Sequence, residues 1–328
     1  MPAPFPADDR VFAGIELGGT KGIAIVWQQG HILDRHLVPT TDPDRTLRAL
    51  GDWLADHPQR TAFAGLGIAS FGPIRLDPAA ADHGEILATT KPGWSGAPVL
   101  VALARRVACP VGIDTDVNAA ALAEHRWGAG RGCSSLVYLT IGTGVGGGVV
   151  VDGRAVHGAL HPELGHLRLR RADGDGFAGI CLFHGDCIEG LVSGPALAAR
   201  FDGDIHATGA DDPRRGFLAA DLAELFAALI LTLSPQQILV GGGVGLGVPG
   251  LLDKAIARLP AILAGYLPEL DLPALRAMIG QPALGPDAGP LGAIALALDA
   301  ADLLEGKVRG RVVVDVNRQD HRLRRGLA

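Results

Sequence analysis

The sequence has few aromatic residues, few cysteines and no long apolar run. Aromatic residues make up only 5% of its 328 residues, which argues against rows of stacking rings that bind single-stranded nucleic acid. Its four cysteines are too few for the disulfide framework of a small secreted protein. No run approaches the roughly 18 uncharged apolar residues of a membrane-spanning helix. We therefore expect no membrane span.

Basic residues are also in the minority. The 29 Lys and Arg residues against 35 Asp and Glu residues give a net charge of −6, which disfavours non-specific binding to nucleic acid. The first ten residues lack the basic start and apolar core of a signal peptide, so we expect none there and predict a cytoplasmic location. Residues 305–328 carry seven basic and three acidic residues, and we interpret them as a solvated basic extension of unknown role.

Glycine, in contrast, is abundant. The chain has 47 glycines, a share roughly double the usual ~7%. They follow no Gly-X-Y period, which excludes collagen, and they cluster at 18–19, 142–148 and 241–247. Such clusters indicate places where the backbone approaches a ligand. The 48% apolar and 20% charged content excludes a disordered chain.

The pattern of strand, glycine turn and strand occurs twice. Apolar runs at 11–17 and 22–27 flank the turn 18–21, and runs at 135–141 and 148–152 flank the turn 142–147. This weak internal repeat predicts two α/β domains built on one plan, 1–115 and 116–304. The other predicted elements are strands at 63–69, 111–114 and 237–240, helices at 43–56, 98–107, 116–127, 216–233 and 287–304, and long loops at 75–97 and 153–190.

The glycine turns are candidate phosphate sites. Successive backbone N–H groups in a turn can bind one phosphate, and Thr20, Thr143 and Lys21 would add side-chain donors. The P-loop string is absent from the sequence. Two strings match G-x-G-x-x-G, but the one at 142–147 precedes a strand and the one at 245–250 lacks a following βαβ unit, which disfavours a dehydrogenase. Tight hairpin turns without a ligand are the alternative reading.

A group of cysteines and histidines predicts a metal site. Cys181, His184 and Cys187 are spaced three residues apart, and His166 is the candidate fourth ligand, with His161 or His157 as alternatives. Two thiolates and two imidazoles suit a closed, structural zinc site. The remaining cysteines, at 109 and 133, have no such neighbours and are interpreted as packing residues.

Five acidic residues are candidates for chemistry. Glu16 ends the first strand beside the first glycine turn and is predicted to hold Mg²⁺ through water. Asp116 begins the helix at 116–127 and is either a general base or only a helix cap, with Asp114 as the competing base. Glu163 and Glu189 flank the metal loop in sequence, and we expect them to accept the hydroxyl protons of a polyol.

Taken together, these motifs resemble the ROK family (repressor, open reading frame, kinase) of sugar kinases, and within it the zinc-containing bacterial fructokinases. The resemblance extends from residue 12 to about residue 300. The matching strings are GIELGGTK at 14–21, GIASFGPI at 67–74, TKPGW at 90–94, DTDVNAAA at 114–121, TIGTGVGGG at 140–148, HGALHPELGH at 157–166, CLFHGDCIEG at 181–190 and GGGV at 241–244.

This resemblance implies an actin-like (ribonuclease H-like) ATPase fold with a cleft between two similar domains. It assigns Asp116 as the catalytic base and ATP, Mg²⁺ and structural Zn²⁺ as cofactors. The implied nucleotide-binding residues are Gly18, Gly19, Thr20, Lys21, Gly142, Thr143 and Gly144 at the phosphates and Gly241, Gly242 and Gly243 near the adenosine. The implied hexose-binding residues are Ser70, Gly72, Thr115, Glu163, His166 and Glu189, and the implied zinc ligands are His166, Cys181, His184 and Cys187.

The resemblance also favours one substrate. Many relatives have Asp in place of Glu16, Asn in place of Thr115, and a third cysteine at the metal, whereas the fructokinases look like this chain at all three places. We therefore expect phosphorylation of D-fructose at its 6-hydroxyl, with glucose, mannose or an N-acetylhexosamine as alternatives. A sugar-responsive repressor is disfavoured because the first strand starts near Val11, which leaves no room before it for a DNA-binding domain. We expect a homodimer and no nucleic-acid partner.

Overall fold

The computed structural model describes residues 8–209 and 211–306. From residue 307 onward, the predicted basic extension lies outside the described residues. The chain divides into two compact units. The first unit comprises residues up to 123 together with the segment that starts at 287, and the second unit is Glu124–Pro286.

Both units combine strands and helices. The strands are β1 (Val11–Leu17), β2 (Lys21–Gln28), β3 (His31–Pro39), β4 (Phe63–Ser70), β5 (Val111–Thr115), β6 (Ser135–Ile141), β7 (Val145–Val151), β8 (Arg154–Ala155), β9 (Gln237–Gly241) and β10 (Ile279–Gly280). The helices are α1 (Pro43–Asp56), α2 (Val99–Ala104), α3 (Asp116–Trp127), α4 (Ile188–Val192), α5 (Gly194–Arg200), α6 (Pro213–Leu233), α7 (Gly242–Gly247), α8 (Leu251–Ile256), α9 (Leu259–Leu263), α10 (Leu272–Met278) and α11 (Ala288–Leu304). Short 3₁₀ turns lie at Arg60–Ala62, Leu164–His166, Ile205–Ala207 and Gly285–Asp287.

The first unit is built on a five-stranded sheet in the order β3-β2-β1-β4-β5. Strand β2 pairs antiparallel with both β1 and β3, whereas β4 pairs parallel with β1 and β5 pairs parallel with β4. Helix α1 is capped by the preceding Asp42, whose side chain accepts a hydrogen bond from the backbone N–H of Arg45. Its buried leucines Leu47, Leu50 and Leu54 form the apolar stripe that the sequence predicts.

Glycines on the first sheet let α11 pack directly against the strands. A Cβ added at Gly67 would lie 1.7 Å from the carbonyl oxygen of Ala293, and one added at Gly65 would lie 2.6 Å from that of Ala297. Helix α11 therefore belongs to the first unit, which differs from the predicted domain 116–304. The apolar residues of α11 show that the helix is buried, but they do not show which sheet covers it.

The second unit repeats the same sheet order, as the internal repeat in the sequence suggests. Its strands lie in the order β10-β9-β6-β7-β8. A central strand, β6, pairs antiparallel with β7 and parallel with β9, as β1 pairs with β2 and β4. Strand β7 begins at Val145, three residues before the predicted start.

Helix α6 forms much of the core of the second unit, where Leu218, Leu222 and Phe226 are buried. Among the described residues it is the one helix with the length and hydropathy of a membrane span, but 61% of that window is buried inside the protein. This burial is typical of a core helix.

Glu124 is a fully buried acidic residue at the start of the second unit. Its carboxylate accepts hydrogen bonds from the backbone N–H groups of Ala129 (2.8 Å), Ala283 (3.0 Å) and Leu284 (2.8 Å). One side chain thus joins the end of α3 to the segment that leads into the last helix.

Candidate functional site

The first glycine turn, Gly18 to Thr20, joins β1 to β2. Thr40 satisfies two of its carbonyl groups: its hydroxyl donates to Gly18 O (2.8 Å) and its backbone N–H donates to Thr20 O (2.9 Å). Within residues 8–209 and 211–306, the N–H groups of Gly19 and Thr20 donate to no acceptor. A Cβ at Gly19 would meet nothing within 4 Å. This exposed turn therefore has two backbone donors without a partner among the described residues, as a phosphate site requires.

Glu16 lies next to this turn and reaches the start of α11. A Cβ at Gly289 would lie 2.4 Å from the Glu16 carboxyl carbon, so a larger residue there would displace the Glu16 carboxylate. Burial raises the pKa of Glu16, and the positive charges of Lys21 and Arg35 oppose that effect. Because Mg²⁺ in kinases keeps several waters and binds one or two carboxylates plus phosphate, a single carboxylate beside a phosphate turn fits this ion.

The structure separates the two aspartates that compete for the role of base. Asp114 is buried, and its Oδ1 accepts from the N–H of Thr115 and from Nδ2 of Asn118, both at 2.8 Å. Asp116 is the first residue of α3 and is only partly buried. The helix cap is Thr115, whose hydroxyl accepts from the N–H of Asn118 (3.1 Å). Asp116 is therefore the more accessible carboxylate.

Several predicted residues of the first unit meet at one edge of its sheet. In the parallel register, Ser70 pairs with Leu17 on one side and with Thr115 on the other. The first glycine turn thus follows β1, Ser70 is the last residue of β4 and Asp116 follows β5, and these three strands are neighbours in the sheet. Gly72 comes two residues after Ser70. Ser70 is fully buried and its hydroxyl donates to Phe71 O (2.9 Å). Its predicted contact with sugar stays a prediction, as does that of Thr115.

The two later glycine clusters meet in the second unit. Gly142 N–H donates to Gly144 O (2.9 Å) and closes the turn around Thr143. Gly242 has a φ of +85°, and a Cβ there would lie 2.4 Å from Ile141 O, which brings 241–243 against this turn. Gly194, the first residue of α5, donates to Gly142 O (2.7 Å). The sequence analysis missed Gly194, because no glycine cluster marks it.

Four of the predicted metal ligands meet in the second unit. The ligand atoms of His166, Cys181, His184 and Cys187 all lie within 4.8 Å of one another. His166 Nδ1 lies 3.8 Å from Cys181 Sγ and 3.6 Å from Cys187 Sγ. Tetrahedral zinc with its usual bond lengths separates nitrogen and sulfur ligands by about 3.6 Å. The cluster fits zinc with His166 as the fourth ligand, whereas His161 instead faces Glu163.

The backbone folds the metal loop tightly around these ligands. Cys181 N–H donates to Gly185 O (3.1 Å), and Gly185 N–H donates back to Cys181 O (2.8 Å). A Cβ at Gly190 would lie 2.0 Å from Gly185 O. Burial raises the pKa of the Cys187 thiol to about 11, so this thiol stays protonated at neutral pH unless a cation holds its thiolate form.

The two carboxylates that flank the metal loop lie beside the second glycine turn. Glu189 Oε2 accepts from Val145 N–H (3.1 Å), and a Cβ at Gly144 would lie 2.8 Å from that oxygen. Glu163 lies 3.2 Å from His161 Nδ1. Burial and the negative charge of Glu189 raise the pKa of Glu163 to about 7. The structure thus brings together the carboxylates of Glu163 and Glu189, the metal-ligand cluster and the second glycine turn. The spacing of Glu189 in the sequence could not reveal its contact with Gly144.

Known proteins resemble this chain over most of its length. A fructokinase from Zymomonas mobilis subsp. mobilis is 40% identical over 299 residues, which is 89% of this chain and 98% of that protein. A ROK hexokinase from Thermus thermophilus has a TM-score of 0.71 at 30% identity and covers 90% of this chain; 99% of that hexokinase is covered. A ROK glucokinase from Streptomyces griseus, solved with glucose and AMPPNP, has a TM-score of 0.69 at 26% identity, over 88% of this chain and 99% of its own.

These similarities confirm the actin-like α/β fold and a sugar-kinase activity. The match to the sequence model of the family spans residues 12–300, which is nearly all of the described chain. It includes both glycine turns, Asp116 and the metal loop. The chain belongs to the ROK family.

Proposed function

We propose that the protein is an ATP-dependent fructokinase that transfers the γ-phosphoryl group to the 6-hydroxyl of D-fructose. The observation that carries this proposal is the position of Glu189, whose carboxylate lies on the glycine turn at Gly144 and follows the metal loop directly. A polyol held by Glu163 and Glu189 would therefore lie next to a phosphate site. Fructose is favoured because the fructokinase named above is 40% identical.

In the proposed mechanism, Asp116 accepts the proton of the sugar hydroxyl as its oxygen attacks the γ-phosphorus in line. The turns at Gly19 and Gly142 bind the phosphates through backbone N–H groups. Glu16 would hold Mg²⁺ through water, and that ion would neutralise charge on the phosphates. The zinc ligands would fix the loop between Glu163 and Glu189. His166 would bind the metal through Nδ1, the atom that lies beside both cysteine sulfurs.

The test is an ADP-release assay over fructose, glucose, mannose and N-acetylated hexosamines. We expect the highest kcat/KM with fructose. Asp116→Asn should lower kcat by about 10²–10⁴-fold, the usual contribution of a general base, with the KM values largely kept. Asp44→Asn, an exposed acidic residue in the first turn of α1, is the matched control.

Each outcome bears on a different part of the proposal. Absence of ADP release with every hexose would contradict a kinase, and preference for another hexose would replace fructose as substrate. Near-normal turnover of Asp116→Asn would move the base elsewhere. We further propose a homodimer and a cytoplasmic location, which light scattering of the purified protein and cell fractionation would test.

A further inference from the structure

A second lysine reaches the first glycine turn from a distant part of the chain. Lys91 lies in the loop between β4 and α2, and its Nζ donates to the carbonyl oxygen of Gly19 (2.5 Å). Its ammonium group also lies 6.0 Å from the centre of the Phe71 ring. Lys21 is adjacent to the turn in sequence, but its charge acts on Glu16.

The segment that carries Lys91 is firmly anchored. Trp94 is fully buried, its Nε1 donates to Thr41 O (2.7 Å), and its backbone N–H donates to Lys91 O (3.2 Å). The Trp94 ring meets the Phe71 ring edge-on, with centroids 5.0 Å apart. Packing and hydrogen bonds of Trp94 therefore fix the backbone segment that places Lys91 at the turn.

The residues that the structure describes leave the charge of Lys91 without an acidic partner. Among residues 8–209 and 211–306, no carboxylate forms an ion pair with it. An ammonium group has three donors, and only one of them is used by Gly19 O. Two donors and a full positive charge are left at the turn, where the N–H groups of Gly19 and Thr20 also lack an acceptor among the described residues.

We propose that Lys91 is a phosphate-binding residue of the first glycine turn and contacts the phosphate tail of the bound nucleotide. The turn presents its carbonyl oxygens as well as its N–H groups, and a bare carbonyl repels an anion. Thr40 covers the carbonyls of Gly18 and Thr20, and Lys91 covers that of Gly19 while it adds a cation. Lysine commonly binds phosphate as a point charge. This inference rests on the proposed function and deepens it.

The experiment compares Lys91→Met, Lys91→Arg and Lys21→Met, with Lys254→Met on helix α8 of the second unit as the control. Steady-state kinetics with fructose and ATP would give kcat and both KM values, and titration with a non-hydrolysable ATP analogue would give binding without turnover. We expect Lys91→Met to lower kcat/KM for ATP by about 10²–10³-fold, the usual effect of losing one preorganised donor to a transferring group. Lys91→Arg should recover most of that loss, and the KM for fructose should change less than about threefold.

Two results would overturn the proposal: a Lys91→Met enzyme within about threefold of wild type in kcat/KM for ATP, or a larger loss in Lys21→Met than in Lys91→Met. Lys91→Gln and the thermal midpoints of all variants separate a folding defect from a binding defect. If the wild-type protein phosphorylates no hexose, the proposed function fails, yet the analogue titration still tests Lys91: unchanged analogue affinity in Lys91→Met would refute the inference by itself.

Discussion

Cys181→Ala should abolish binding of the proposed zinc ion, open the metal loop and weaken both stability and fructose binding. The cluster joins His166 to Cys187 across 21 residues of chain. If the metal acts as a cross-link, loss of that closure costs about 3 kcal/mol by the chain-entropy relation for a loop of this length. For a unit of this size, about 3 kcal/mol lowers the unfolding midpoint by roughly 6–12 °C.

The assay combines metal analysis, calorimetry and kinetics on the same preparations. Wild type should contain about one zinc per chain, and Cys181→Ala should contain almost none because three ligands hold the metal far more weakly. The KM for fructose should rise about tenfold or more, since Glu163 and Glu189 lose their support. Cys109→Ala is the control, because Cys109 is a buried cysteine of the first unit. This variant should bind as much zinc as the wild type. Loss of zinc with an unchanged unfolding midpoint would refute the reasoning.

Three further outcomes follow from two glycines and from the carboxylates of Glu163 and Glu124. Gly19→Ala should keep wild-type stability, because its Cβ meets nothing within 4 Å in the protein, but it should bind ATP poorly, because the Cβ would enter the proposed phosphate site. Gly67→Ala should lose about 3 kcal/mol or more of stability, because its Cβ overlaps the backbone of α11. Denaturant unfolding and nucleotide titration check the two variants, and equal stability of both would contradict this prediction. The pKa of Glu163 is raised to about 7, so the folded state binds this proton more tightly than the unfolded chain does. The contribution of Glu163 to stability is therefore present at about pH 4 and lost as the pH rises through about 7. The free energy of unfolding in urea should depend less on pH in Glu163→Gln than in the wild type, and identical pH dependence would show that Glu163 is not the cause. Glu124→Ala should cost about 3 kcal/mol or more, because three backbone N–H groups lose their buried acceptor, and calorimetry that finds a loss below about 1 kcal/mol would argue that water replaces the carboxylate.

Local signals explain why most elements could be predicted from the sequence. Helix α1 is preceded by a capping aspartate, begins with a proline and carries leucines at helical spacing. Its predicted bounds are those observed. Strand β3 was missed because Asp34 and Arg35 lie in it and most of its residues are exposed, so it lacks the apolar pattern of a buried strand.

The candidate site could likewise be predicted only where its residues are close in sequence. Cys181, His184 and Cys187 are spaced three residues apart, so their spacing predicted three members of the cluster that the structure shows. The fourth member, His166, lies further away in the chain, and spacing alone left His161 and His157 as alternatives. The contacts of Lys91 with Gly19 and of Glu189 with Val145 join residues separated by 72 and 44 positions. Such contacts depend on the path of the loops, and no local pattern encodes that path.

The position of α11 has a consequence for synthesis on the ribosome. The first unit needs a helix that is translated after residue 286, whereas the second unit is one continuous segment. Until that helix emerges, the glycine-lined surface of the first sheet, at Gly65 and Gly67, has no partner. Although domains usually complete in the order of translation, here the later-made unit can finish first. A fragment that stops at residue 123 would expose this bare surface, and supplying residues 287–306 as a separate peptide would cover it.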